Sequence, residues 1–180
     1  VYEKEKFYSP STIDKCQKRV IVAHSFSKSY AMTGWRIGGL MGPNEFIARA
    51  TLVLETITSC VSPFIQIAAI EAMKGPQNEI DNMMKKFKSR RDLLVKGLNS
   101  IEGINCINPA GTFYAFPNIS SLGLTSIEFS EYLLKKFFIA TCPGVFFGKT
   151  SINNVRFCYA TSEKNIQEAL ERIRRAVSLL

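Results

Sequence analysis

One amphipathic stretch, residues 78–100, divides the chain into two differently patterned parts and limits what it can fold into. Ile80, Met83, Met84, Phe87, Leu93, Leu94 and Leu98 recur at helical spacing and form most of one apolar stripe. Before it, short apolar strands alternate with helices. After it, the pattern turns to strands of hairpin type followed by helices. Such a switch predicts an α/β chain whose long helix bridges two sheet-bearing parts.

In the first part, KRVIVAHSF (18–26) carries a short β-branched run and reads as a buried strand. WRIGGLMG reads as a second strand, closed by Gly42-Pro43. Asn44 is placed as the cap of a helix through EFIARATLVLETI. Ser62-Pro63 opens another, PFIQIAAIEAMKG, which Gly75-Pro76 stops. In the second part, INCINP and GTFYAFPNI read as two antiparallel strands joined around Pro109-Ala110-Gly111. Ser126 is placed as the cap of IEFSEYLLKKFF, CPGVFFG as a loop and NVRFCYAT as a strand. Ser162 caps the final helix. The expected divisions are 1–77, the bridging helix 78–100, and a small unit 101–180.

Composition narrows the function. Apolar residues make up 46% and charged residues 21% of 180, an ordinary globular balance. No apolar run approaches the roughly 18 residues of a membrane span. The net charge of +8 raises nucleic acid as a partner. However, the densest basic runs, KKFKSRR (85–91) and RIRR (172–175), fall in helical patterns and read as solvated faces. Cys16, Cys60, Cys106, Cys142 and Cys158 form no CxxC pair, so neither a disulfide framework nor a metal site is signalled. Reduced thiols and a polar opening, VYEKEKFYSP, lead us to expect a cytoplasmic protein. The single histidine, His24, ends a strand without evident partners and reads as structural.

The chemistry concentrates in AHSFSKSYAMTGWRIGG, residues 23–39. An amine on a turn just after a buried strand can be partly desolvated, which favours its neutral, nucleophilic form. That is what attack on an aldehyde to give a Schiff base requires. Lys28 is flanked by the hydroxyls of Ser25 and Ser27, and Arg36 offers a planar fork of donors suited to phosphate. Pyridoxal 5′-phosphate (PLP) is an aldehyde that carries a phosphate. On composition alone, a lysine in a serine-rich loop is more often merely solvated.

The full string SFSKSYAMTGWRIG (25–38) resembles the cofactor-lysine signature of class I/II aminotransferases, the fold-type I PLP enzymes. A serine three before the lysine and an Arg-apolar-Gly triplet at plus eight fall on Ser25, Lys28, Arg36, Ile37 and Gly38 without a gap. NPAGTFYAFPNIS is similar to the family's strand pair in the small domain, and FIATCPGVFFG to its Pro-Gly-x-x-Phe-Gly loop. NNVRFCYATSEKNIQEALERI resembles the strand and last helix that carry the arginine for the substrate α-carboxylate, here Arg156. Tyr2, 26 positions before Lys28, is similar to the tyrosine of an Asp-x-x-Tyr element. The resemblance covers the whole chain and matches the C-terminal half of a family member: the end of a large, mostly parallel-sheet domain plus a small α/β domain. The aspartate of that element falls outside the sequence.

The resemblance implies an aspartate-aminotransferase-like enzyme that transfers an amino group between an amino acid and a 2-oxo acid, as a homodimer. Lys28 would hold PLP and move protons, Ser25 and Arg36 would hold its phosphate, and Ser27 is counted among the cofactor-binding residues. Tyr2 would bond its ring oxygen, and Arg156 would grip substrate. Other PLP chemistries of the fold, β-lyase, decarboxylase or synthase, share the lysine and both arginines. A basic module binding nucleic acid through KKFKSRR is a rival of a different class, and no nucleic-acid motif supports it. The substrate side chain is not legible.

Overall fold

The computed structural model describes residues 1–2, 6–15 and 18–180, so Cys16 lies outside the described residues. The chain divides into two compact units: residues 6–82, and residues 1–5 with 83–180. The division falls at Asn82/Met83, inside the long helix α5 (Asn78–Asn99).

The first unit begins with a single helical turn, α1 (Ser11–Asp14). Strand β1 (Val22–Ser25) pairs antiparallel with β2 (Gly38–Met41), placing Ser25 opposite Gly38 and His24 opposite Gly39. Between them lies α2 (Phe26–Ser29), a short helix that starts directly at the end of β1. Phe26, Met32 and Ala69 form a small core, with Tyr30, Ile37, Ala68 and Ala72 packed around it. The strand expected to be buried is not: Ala23, His24 and Ser25 are exposed, because nothing in the described chain covers that sheet. Helix α3 (Asn44–Thr58) buries none of its residues, and α4 (Pro63–Lys74) buries only Ala69. Asn44 is the first helical residue rather than the cap; Pro43 holds that place and no side chain caps the end. Pro63 sits at the first turn as expected, where a missing N–H costs nothing. Gly75 ends α4 in an extended conformation, not the left-handed one.

The second unit holds the larger core. Leu94 and Leu98 of α5 pack with Phe129 and Leu133 of α6 (Ser126–Phe137) and with Ile166, Leu170 and Ile173 of α7 (Glu163–Val177). These residues recur three or four apart on their helices, the spacing that turns one stripe inward. The helices pack with a three-stranded antiparallel sheet in the order β3 (Tyr114–Ala115), β5 (Val155–Cys158), β4 (Cys142–Pro143). The expected hairpin between INCINP and GTFYAFPNI is replaced by a single bridge, Asn105 with Asn118. Tyr114 and Ala115 pair instead with Cys158 and Phe157 of β5. Thr112 has φ 68°, and this left-handed residue re-aims the chain just before β3.

Two caps also differ in detail. Thr125, not Ser126, caps α6, in a reciprocal box with Glu128. Two bonds from Thr125, backbone first and hydroxyl second, hold the Glu128 carboxyl below its usual range. Ser162 caps α7 as expected, its hydroxyl accepting from the Asn165 backbone. CPGVFFG, which reads as a loop in the sequence, supplies β4 and then a 3-10 turn, Gly144–Phe147.

Candidate active site

Strand pairing assembles the lysine cluster. Ser25 faces Gly38 across the β1–β2 pair, and the Phe26 N–H donates to the Ile37 carbonyl at 3.3 Å. The start of α2 is thereby held beside the Arg36–Gly38 segment, although eight residues separate Lys28 from Arg36 in sequence. Gly38 is required by this approach: a Cβ there would lie 2.5 Å from the His24 carbonyl oxygen. Ser25 Oγ accepts from the Ser27 N–H at 3.2 Å and caps α2, which leaves its hydroxyl proton to donate elsewhere.

The intervening loop is strained at two residues. Ala31 has φ 54° and Arg36 φ 51°, a region in which a side chain costs on the order of 1 kcal/mol or more. Such outliers concentrate where geometry serves a site. Arg36 donates from one guanidinium nitrogen to the Thr33 carbonyl at 3.0 Å, which ties its head to the loop. Lys28 lies exposed on α2, so the described residues do not supply the desolvation read from the sequence. His24 is exposed and packs edge-on against Phe26, with centroids 5.4 Å apart.

The remaining two site residues belong to the other unit. Arg156 sits on the central strand β5, where Val155 and Phe157 are buried and Arg156 and Cys158 take the opposite face. Its guanidinium carbon lies 4.3 Å from the Tyr114 ring centroid and 4.7 Å from that of Phe147. Tyr2 is buried, its N–H donating to the Ala110 carbonyl at 2.7 Å and its hydroxyl to the Thr112 carbonyl. The Tyr159 hydroxyl, 3.4 Å away, donates to the same Thr112 oxygen at 2.9 Å.

Three residues around Tyr2 escaped the sequence reading. Arg91 ends the basic run KKFKSRR, which reads as a solvated face, yet it is 1% exposed. Asp92, beside it, takes its Nε–H at 2.9 Å. Tyr159 is fully buried; burial first, then its neighbour Tyr2, push its phenol well above the usual range. The signal available for Arg91 was its place in line with Leu94, Val95 and Leu98 on the inward side of α5.

This chain belongs to the family described as aminotransferase class I and II, whose model matches residues 1–173. Among particular relatives, it is 39% identical over 179 residues to an aspartate aminotransferase of Pyrococcus horikoshii, covering 98% of this chain and 45% of that one. It is 35% identical to an aromatic-amino-acid aminotransferase of Thermococcus litoralis, over 98% of this chain and 46% of the relative. The crystal structure of an aromatic aminotransferase from Pyrococcus horikoshii superposes with a TM-score of 0.95 at 38% identity, over 99% of this chain and 48% of that one. The aspartate aminotransferase of Rhizobium meliloti gives 0.93 at 38% identity, covering 99% and 47%. The chain thus spans about half the length of the relatives it matches. Its fold is that of the fold-type I aminotransferases.

Proposed function

We propose that this chain supplies the cofactor lysine and the substrate arginine of a PLP-dependent aminotransferase that exchanges an amino group between an amino acid and a 2-oxo acid. The observation that carries this is the backbone around the lysine: Ser25 pairs with Gly38 and Phe26 is hydrogen-bonded to Ile37, so the residues just before Lys28 lie against those just after Arg36. One amine, two hydroxyls and a guanidinium form a donor set suited to an aldehyde that bears a phosphate. PLP, when bound, supplies the carbonyl that takes the amino group and a ring that accepts the electron pair.

The chain's own residues do the rest. Lys28 would hold the cofactor, and its Nζ, when free, would move a proton at the substrate α-carbon. Ser25 and Arg36 would donate to the phosphate, with Ser27 beside them. Arg156 receives the substrate carboxylate with two parallel N–H bonds, which a lysine could not reproduce. Tyr2 would donate to the cofactor's ring oxygen. Two copies associate in this reading, and exposed apolar residues of α3 and α4 such as Leu52, Ile57, Phe64 and Ile67 offer surface for it. Among the described residues no helix is long and apolar enough to cross a membrane.

The test uses the enzyme that contains this sequence. Borohydride reduction followed by peptide mapping should place the cofactor on Lys28, and Lys28→Ala should lose both the visible absorbance and amino transfer. Trapping at another lysine would overturn the assignment. Amino transfer to 2-oxoglutarate, measured against release of ammonia or pyruvate, separates transamination from the lyase chemistries of the fold.

A further inference from the structure

Arg156 differs from Arg91, Arg172 and Arg36 in what surrounds it, and from Arg90, which meets a single ring, in meeting two. Arg91 donates to Asp92 and to the Pro109 carbonyl, Arg172 to Glu168 and the Phe137 carbonyl, and Arg36 to the Thr33 carbonyl. Among the described residues, no carboxylate or carbonyl accepts from the Arg156 side chain; its contacts are the faces of two aromatic rings. The rings come from elements on either flank of β5. Tyr114 lies on β3, and Phe147 ends the 3-10 turn that follows β4. Each is supported in turn: Tyr114 by Phe113 at 4.5 Å between centroids, and Phe147 edge-on by Phe116 at 5.8 Å. Phe147 and Phe116 nonetheless remain 50% and 38% exposed, so the cluster is open to a ligand.

All the N–H donors of a guanidinium lie in its plane, and ring contacts occupy its faces. Two rings within 4.3 and 4.7 Å, with no acceptor on the side chain among the described residues, leave its N–H groups uncommitted and restrict how the head group can move. We propose that Tyr114 and Phe147 are positioning residues that fix the Arg156 guanidinium so that its N–H edge meets a substrate carboxylate in one plane. This deepens the reading of Arg156 given above and rests on it. In this reading the rings act through the arginine, so they govern carboxylate affinity and leave the proton transfers alone.

The experiment uses the holoenzyme that contains this sequence and reads two quantities: the Kd of glutarate, a non-reacting dicarboxylate, by calorimetry, and the kcat and KM of an amino acid and of a simple primary amine. Tyr114→Leu and Phe147→Leu should each weaken glutarate by about 3- to 30-fold, the range of a ring–cation contact from exposed to desolvated. The amino acid KM should rise in step with kcat little changed, and the amine KM should hold. Tyr114→Phe and Phe147→Tyr, which keep the rings, should restore glutarate binding. Arg156→Lys is the reference. If it binds glutarate poorly while the leucine variants bind it as well as the parent, the positioning role is overturned and the carboxylate role of Arg156 stands. Equal losses for the amine, or no recovery when the ring is kept, show a merely structural role and overturn the proposal as well. If Arg156→Lys binds glutarate undiminished, the reading of Arg156 itself fails.

Discussion

The guanidinium of Arg91 lies over the ring of Tyr2, its carbon 4.7 Å from the centroid, although 89 positions separate the two residues. The same head group donates to the Pro109 carbonyl at 3.0 Å and pairs with Asp92 at 2.7 Å. Tyr2 in turn is hydrogen-bonded to Ala110 and Thr112. One buried arginine thus joins α5, the Pro109–Thr112 turn and the start of the chain.

Removing that arginine should cost stability well beyond a surface charge. Arg91→Met leaves the Pro109 carbonyl without its donor and takes the cation from the Tyr2 ring. Breaking a buried charged contact costs about 3–5 kcal/mol, and the half-exposed Asp92 reduces this because water screens it. We expect a loss of about 2–3 kcal/mol in urea unfolding. Arg91→Lys should recover less than half, since an ammonium cannot serve Pro109, Asp92 and the ring together. A variant within about 0.5 kcal/mol of the parent would show that the cluster is not stabilising.

Alkaline pH should weaken the same region through Tyr159. Burial first, and Tyr2 second, raise its phenol above the unfolded value of about 10. The folded state therefore holds the proton when the unfolded state has released it. The stabilisation is complete below about pH 10 and declines as pH rises above it, at up to ~1.4 kcal/mol per pH unit. Tyr159→Phe removes this titration. It also gives up the 2.9 Å bond to Thr112, so it should be less stable by about 1 kcal/mol at pH 8. Thermal melts from pH 8 to 11 should show a shallower alkaline decline for the variant. Parallel curves would refute the role of Tyr159.

Thiol reactivity should follow burial. Cys60 and Cys158 are exposed, whereas Cys106 is buried and has its thiol pushed up by desolvation. Attack needs the thiolate and access to it. Iodoacetamide at pH 8 should label Cys60 and Cys158 in the folded chain and Cys106 only after denaturant is added, as read by peptide mass spectrometry. Early labelling of Cys106 would contradict its packing beside Asn99, whose side chain bonds both its N–H and its carbonyl.

The helices α4, α5 and α7 were legible because their apolar residues recur at a period that only one structure satisfies, with Pro63 and Ser162 marking starts. The cap of α6 was legible too, since Thr125 stands three before Glu128, and reading Ser126 in its place missed by one residue. The pairing of Tyr114 with Cys158 was not legible. Strand partners 44 residues apart leave no local signal, and a nearby apolar run, INCINP, offered a plausible false partner. Lys28, Ser25 and Arg36 stood out as candidates by their chemistry and by the resemblance to the cofactor-lysine signature, but only the backbone showed that Phe26 and Ile37 are hydrogen-bonded. The two rings over Arg156 were beyond sequence reasoning for the same reason: each arrives from a different strand neighbour.

Gly144 gives the sharpest test of how the Arg156 surroundings are built. It opens the 3-10 turn that ends at Phe147, and its N–H donates to the Asn154 carbonyl at 2.8 Å. A Cβ at this position would lie 2.2 Å from that same oxygen and 2.3 Å from the Ser151 carbonyl oxygen. Both obstacles are backbone atoms, so no side-chain rotation relieves them, and the turn or the 151–154 segment must move. Overpacking of this kind costs about 1–3 kcal/mol, and contact with backbone places Gly144→Ala near the upper end. Gly39→Ala is the control, because nothing lies within 4 Å of its Cβ position; it should stay within about 0.5 kcal/mol of the parent. Displacing the turn also displaces Phe147 from the Arg156 guanidinium. In the holoenzyme, Gly144→Ala should therefore weaken glutarate about as much as Phe147→Leu does, in addition to lowering the melting temperature. If Gly144→Ala melts like the parent and binds glutarate as tightly, the close approach of the turn to Asn154 and Ser151 does not hold Phe147 in place.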